Sequence, residues 1–445
     1  MLCVSNSVFA LDGGDVLIYN INKVLIFLKG ELSMKMKRLI SVILAAVTCT
    51  AVLAGCGGGT SSQQTSAPDT SEAPPAVADT VIDEIDTTLT PLEFTAGIKV
   101  GWNLGNTLDA NGGTGLSTET SWGNPKTTPE LIKAVKDAGF NAVRIPTTWE
   151  PHMDESGNID LEWMTRVKEV VDYAYDLDMY VILNMHHEEW HYPSNDNKDA
   201  CAAKLKTAWT QIANEFIGYD ERLIFEGMNE PRWKNTEWEW NGGNEEGREV
   251  VNYLNGVFVD AVRATGGNNE HRFLMVCPYA ANCSESALSA LQLPDDDRLI
   301  VSVHAYIPYT FALAEHGTHM WVADKSGCVS DIDTLAEVLD RLFISKGTAV
   351  IIGETGAMGR YYVKKVETTV DGTAEAETIT KVNDEFRSAW AEYYFGKFKE
   401  IGVPCFWWDN GAFLSGETFG LIKRSTCEWR YPDVVDGIMK GAGVK

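Results

Sequence analysis

Residues 223–231 read Leu-Ile-Phe-Glu-Gly-Met-Asn-Glu-Pro, and residues 349–356 read Ala-Val-Ile-Ile-Gly-Glu-Thr-Gly. Each is a short apolar run that ends on a glutamate, Glu230 in the first and Glu354 in the second. Such runs, bounded by turn residues, read as strands buried on both faces, which is how the strands of a helix-covered parallel sheet look. A strand of this kind lifts the polar residue at its C-terminal end to the mouth of the sheet.

Six further runs of the same kind are spaced along the chain: Lys99 to Leu104, Asn141 to Pro146, Tyr180 to Met185, Arg272 to Cys277, Leu299 to Ala305 and Val403 to Trp408. Helical periodicity fills the gaps, at Pro129 to Ala138, Leu161 to Leu177, Ala202 to Phe216, Glu246 to Ala264, Ile332 to Ser345 and Glu385 to Lys399. Eight alternating βα units predict an α/β protein built as a (β/α)8 TIM barrel, with a single catalytic domain over residues 86–445. A doubly wound sheet is the alternative, and no GxGxxG phosphate loop supports it. A barrel carries its chemistry at the C-terminal ends of its strands. Polar residues gather there: Asn103, Arg144, His186 and His187, Asn229 and Glu230, His304 and Tyr306, Glu354, and Trp408 with Asp409.

On strands four and seven of one barrel, Glu230 and Glu354 face each other across the mouth. Glycoside hydrolysis needs such a pair, one carboxylic acid to protonate the leaving oxygen and one carboxylate to attack or stabilise the oxocarbenium-like centre. A single glutamate at a strand end is as often a solvated rim or salt-bridge residue, and Arg144, His304 and Trp408 each have a packing role as their bland reading. The composition agrees with a neutral or cationic ligand. With 63 acidic residues against 37 basic ones the net charge is −26, which repels nucleic acid and anionic membranes. Fourteen Trp and fifteen Tyr suit stacking on sugar faces as well as filling a core.

Asn-Glu-Pro at 229–231, Gly-Glu-Thr at 353–355, Trp102-Asn103-Leu104-Gly105-Asn106, Arg144 and His304-Ala305-Tyr306 together resemble glycoside hydrolase family five, a retaining (β/α)8 family. The run Val303 to Leu313 and the ending Phe406-Trp407-Trp408-Asp409-Asn410 look like its subfamily four, chiefly endoglucanases and xyloglucanases. The resemblance spans about residues 90 to 435. It implies a retaining endo-β-1,4-glucanase acting on soluble or amorphous β-glucans, xyloglucan, lichenan or glucomannan, with a mannanase or xylanase of the same fold as alternative. Glu230 would be the acid/base and Glu354 the nucleophile. Arg144 and Tyr306 would hydrogen-bond the nucleophile and Asn229 the sugar 2-hydroxyl. Asn103 lies in the motif of the first strand. His304 would sit beside the acid/base, His186 and His187 would line the cleavage site, and Trp408 would be the floor under the reacting ring. Which adjacent histidine makes the decisive contact stays open. No cofactor or metal is implied, and the protein is expected to be monomeric.

Two other readings compete. His187-Glu188-Glu189-Trp190-His191 matches HExxH, but that motif binds zinc only on a helix, and here it follows a strand directly and precedes Pro193. A non-catalytic, carbohydrate-capturing surface lipoprotein would use Trp149, Trp190, Trp233, Trp238, Trp240 and Trp321 as a stacking track. Of these, Trp190, Trp233 and Trp321, near strand-end loops, are the candidate subsite aromatics.

The first eighty-five residues concern address. Residues 34–55 have the charged start, apolar run and small-residue end of a secretory signal. Leu53-Ala54-Gly55-Cys56 resembles a bacterial lipobox, which would make Cys56 a diacylglyceryl anchor and the only link to a membrane. Residues 1–33 do not fit ahead of a signal, and translation is expected to begin at Met34 or Met36. Residues 56–85 read as the lipidated cysteine and a flexible Gly/Ser/Thr/Pro tether. The cysteines at 201, 277, 283, 328, 405 and 427 lack metal-ligand spacing, and Cys277 and Cys405 are expected to be buried.

Overall fold

The computed structural model describes residues 83–370 and 373–445, and a two-residue strand pair joining Phe9–Ala10 to Val16–Leu17. Eight parallel strands close into a barrel. They are β1 (Gly101–Leu104), β2 (Ala142–Ile145), β3 (Tyr180–Asn184), β4 (Leu223–Glu226), β5 (Leu274–Val276), β6 (Leu299–His304), β7 (Ala349–Thr355) and β8 (Cys405–Asp409). Each is followed by a helix: α1 (Pro129–Asp137), α2 (Leu161–Tyr175), α3 (Lys198–Glu215), α4 (Glu245–Arg263), α5 (Glu285–Ala290), α6 (Ser326–Leu342), α7 (Asp384–Glu400) and α8 (Pro432–Gly441). All eight expected strands are present. Of the eight helices that the repeat predicts, the sequence reading placed six, and the other two are α5, with only six residues, and α8. The β7α7 connection carries an unexpected hairpin, Tyr361–Val370 paired with Thr373–Val382.

The period of two along each strand sorts the residues into two cores. Outward residues such as Val143, Val181, Phe225, Val301 and Trp407 pack beneath the helices in one large cluster. Inward residues form a second: Ala142, Ile182, Ile224, Met275, Ile300, Ile351 and Phe406. Its lower end is closed by Phe94, from the helix Pro91–Ala96, stacked on Phe273 with ring centroids 4.0 Å apart. Asp83 and Asp86 bond to Gly218 and Glu221, tying this entering segment to the bottom of the barrel. Burying that many side chains at about 25 cal/mol per Å2 of apolar surface is what holds the barrel together.

Toward the C-terminal ends the inward positions change character. Asn103, Arg144, Asn184, Glu226, Ser302, His304, Glu354 and Trp408 follow the apolar layer on successive strands, and all are buried. In β7 a register irregularity opposite Val303 and His304 brings Glu354, and not its neighbour, level with His304. Cys277 and Cys405 are buried, as expected.

Candidate active site

Arg144 organises the barrel mouth. Its Nε donates to Glu226 Oε2 at 2.7 Å, Nη1 to Glu354 Oε1 at 2.7 Å and to Asn103 Oδ1 at 3.0 Å, and Nη2 to Asn229 Oδ1 at 2.8 Å. A fully buried guanidinium is costly unless its donors are met, and here all three nitrogens have acceptors. The two flanking carboxylates outweigh the burial penalty and raise the Arg144 pKa further.

The second oxygen of Glu354 accepts from the Tyr306 hydroxyl at 3.0 Å. His304 Nδ1 lies 2.7 Å from Glu230 Oε1 and 3.6 Å from Glu354 Oε2. One oxygen of each glutamate and a ring nitrogen of His304 all fall within 4.8 Å of one another. Burial raises the affinity of Glu230 for its proton, but the hydrogen bond and charge of His304, then Arg232 and His187, outweigh it and hold the carboxyl below its ordinary range. Burial opposes the His304 cation, yet the charges of Glu354 and Glu230 raise its pKa. Both shifts favour the proton on the imidazole side of the pair. Burial and the neighbouring Glu354 charge push the Tyr306 phenol well above its usual value, so it stays a donor.

Asn184 fixes the state of His186. Its Oδ1 accepts from the Thr147 backbone N–H at 3.0 Å, so its Nδ2 faces Glu226 Oε2 and His186 Nδ1, both at 3.0 Å. His186 Nδ1 must accept, which leaves the ring hydrogen on Nε2. Burial drives the His186 pKa well below its usual value, so the ring is neutral. It lies parallel to Trp408, centroids 5.7 Å apart and planes at 4°. Half-buried His187 sits beside it and beside exposed Trp122, at 5.6 Å.

The family model for cellulase, glycosyl hydrolase family 5, matches residues 107–414. The chain belongs to glycosyl hydrolase family 5. Endoglucanase A of Ruminococcus albus is 42% identical over 363 residues, covering 80% of this chain and 93% of its own. Among solved structures, a family 5, subfamily 4 broad-specificity endoglucanase from Ruminococcus champanellensis with bound cellotriose is 43% identical. Its TM-score is 0.72, over 79% of this chain and 99% of that one. A family 5 xyloglucan-specific endo-β-1,4-glucanase from a metagenomic library, in complex with cellotriose, is 40% identical with a TM-score of 0.71, over 80% and 99%.

In this family 5 glycoside hydrolase the barrel brings Asn103, Arg144, His186, His187, Asn229, Glu230, His304, Tyr306, Glu354 and Trp408 to one mouth. Asn103 lies beneath it, since its amide donates to the Gly353 carbonyl at 2.9 Å and accepts from Arg144. The three candidate subsite tryptophans fare differently. Trp321 is only 2% exposed, its Nε1 donating to the Cys328 carbonyl, and is core packing. It stands near a strand end in sequence, but the loop folds it back under α6 and Tyr393. Trp233 is half-buried at the rim with one face covered by Tyr192 at 5.9 Å. Trp190 is half-buried, anchored through Nε1 to Glu188, with the Lys204 ammonium 5.8 Å over its ring. Trp149 is wholly buried, whereas Trp122 and Trp240 are the exposed indoles. The HExxH stretch is irregular, not helical. Glu188 there accepts from Trp149 N, Glu150 N and Trp190 Nε1, clamping two loops.

Sequence reasoning passed over Asn184, Glu226 and Ser302. The period of two that turns Ile182, Ile224 and Ile300 inward does the same for these, and that alternation was the available signal.

Proposed function

We propose that this enzyme is a retaining endo-β-1,4-glucanase, working by double displacement with Glu354 as nucleophile and Glu230 as acid/base. The approach of the two glutamates within 4.8 Å carries the reading. Retaining enzymes hold their carboxyls about 5 to 5.5 Å apart, whereas inverting ones need roughly 6.5 to 9.5 Å for an intervening water. In the first step Glu354 attacks the anomeric carbon and the bond to the leaving oxygen breaks, while His304 Nδ1 passes its proton to Glu230 and Glu230 protonates that oxygen. In the second, water attacks the glycosyl-enzyme ester, gives its proton to Glu230 and frees Glu354.

Arg144 and Tyr306 aim Glu354 by donating to its two oxygens at 2.7 and 3.0 Å. Asn229, its Oδ1 fixed on Arg144, presents its amide hydrogens to a sugar hydroxyl. Trp408 is the floor under the reacting ring, and His186 offers Nε2–H beside it. The solved relatives named for broad specificity and for xyloglucan support a substrate range that includes xyloglucan.

The sequence at 34–56 supports export and lipid anchoring at Cys56 on the outer face of a bacterial membrane. Those residues lie outside the described ones, as do most of the upstream extension and most of the tether, and among the described residues no helix is long and apolar enough to cross a membrane. The enzyme is read as a monomer. Reducing-sugar release from carboxymethylcellulose, lichenan, xyloglucan, mannan and xylan by residues 80–445, beside Glu354→Ala, tests the function. Activity on β-1,4-glucans that Glu354→Ala abolishes supports it, and retained binding without hydrolysis favours a capture protein. Cys56→Ala in the full chain should release the enzyme from the membrane fraction.

A further inference from the structure

Glu226 has no place in the reaction as described. It is the last residue of β4, wholly buried, and lies behind the reacting groups. Its Oε2 accepts from Arg144 Nε at 2.7 Å and Asn184 Nδ2 at 3.0 Å, and its Oε1 from the Ser302 hydroxyl at 2.5 Å. With donors on both oxygens and a guanidinium among them, the group is a carboxylate. A buried anion with no more than a packing duty is an expensive way to fill space.

The charge balance gives it a use. Arg144 on β2 meets two carboxylates, Glu226 on β4 and Glu354 on β7, while Arg232 faces Glu230 from the following loop at 3.5 Å. Glu354 and Glu230 favour a proton on His304, while burial and the Arg144 charge oppose it, and a second carboxylate on Arg144 weakens that opposition. Glu226 tips the cluster negative. Its Oε1 lies 4.0 Å from Nε2 of His304 on β6, the face opposite the one that meets Glu230. Cys277, after β5, also feels its charge, which adds to burial in raising that thiol.

We infer that Glu226 is a positioning residue of the glycosidase reaction: its buried negative charge offsets Arg144 and keeps one proton on the His304–Glu230 pair, ready for the leaving oxygen. The inference rests on the proposed roles of Glu230 and Glu354. Removing the charge while keeping the shape makes every neighbouring acid release its proton more readily, so both limbs of the pH profile move to lower pH.

The test compares kcat/KM against pH on lichenan for the wild type, Glu226→Gln and Glu226→Asp. The Gln variant is expected to move the basic limb down by at least about one pH unit, a roughly tenfold loss on that limb that mild acid recovers. The Asp variant, which keeps the charge, is expected to keep the limb even where kcat falls. A Gln limb within about 0.3 unit of the wild type, or a loss equal at all pH values, overturns the inference in favour of a packing role. Should the Gln variant be too unstable or too slow to profile, 15N imidazole titrations of His304 in it and in the wild type, at low temperature, decide. A lower His304 pKa in the Gln variant supports the inference, and the same pKa in both overturns it. A wild type inactive on the glucan at every pH, or a Glu354→Gln variant that stays active, breaks the underlying reading instead.

Discussion

Gly105 lies so close to Trp408 that a methyl group on its Cα would meet the indole at 2.7 Å. The glycine of the β1 motif is thus the seat of the aromatic floor supplied by β8. Gly105→Ala is expected to tilt or displace Trp408 and raise KM on cello-oligosaccharides at least about tenfold. Overpacking of this kind costs about 1 to 3 kcal/mol, so the variant should still fold. Kinetics with a tryptophan-fluorescence titration check it, and an unchanged KM refutes it.

Tyr306→Phe removes the donor from Glu354 Oε2 and nothing else from the core. Hydrogen bonds to charged groups contribute about 1.5 to 3 kcal/mol, so kcat/KM should fall roughly 10- to 150-fold. The loss should fall on kcat, since the bond acts on the nucleophile, and the melting temperature should change little. A loss carried by KM alone would mean that Tyr306 serves the substrate and not the nucleophile.

The Glu230–His304 pair links stability to pH. Glu230 is held below its ordinary 4.5, so its contribution is present above that value and lost as pH falls through the lower folded one. His304 is raised above 6.5, so its contribution is present below 6.5 and lost as pH rises through the higher folded one. Both are whole between pH 4.5 and 6.5. The melting-temperature difference between the wild type and His304→Asn is therefore expected to be larger at about pH 5.5 than at about pH 9. Equal differences would count against the ion pair.

His191 has the opposite sign. Burial holds it to about 3, and its Nε2 finds no hydrogen-bond partner among the described residues. Its contribution is whole above pH 6.5 and drains away as pH falls toward that folded value, by up to about 1.4 kcal/mol per pH unit. His191→Phe should lose less melting temperature than the wild type between about pH 7 and pH 5. Parallel losses would show that another group governs acid unfolding.

Glu188→Gln places an amide N–H against backbone and indole donors in the loops after β2 and β3. An unmet buried group costs about 1 to 3 kcal/mol, and thermal denaturation should register that loss at neutral pH. A variant as stable as the wild type would show that the loops do not depend on this carboxylate.

The strands were legible because each is a short buried run between turn residues, and both glutamates because each closes such a run. Element ends moved by a few residues: the strand read as Arg272 to Cys277 is Leu274–Val276, since Arg272 turns down to bond the carbonyls of Phe216, Tyr219 and Leu223. The hairpin after β7 escaped because its mixed polar and β-branched residues lack the apolar run that marked the barrel strands.

Sequence by itself determined the barrel, the two glutamates and the family, because local periodicity and ordered motifs survive without knowledge of contacts. Only the tertiary structure decided what lies behind them. Glu226 and Arg144 are 82 positions apart and Trp408 and His186 lie on different strands, so closure of the barrel alone brings each pair together. The same closure made Trp321 core and left Trp122 and Trp240 in solvent, because burial of an aromatic depends on which element folds over it and not on its neighbours in the chain.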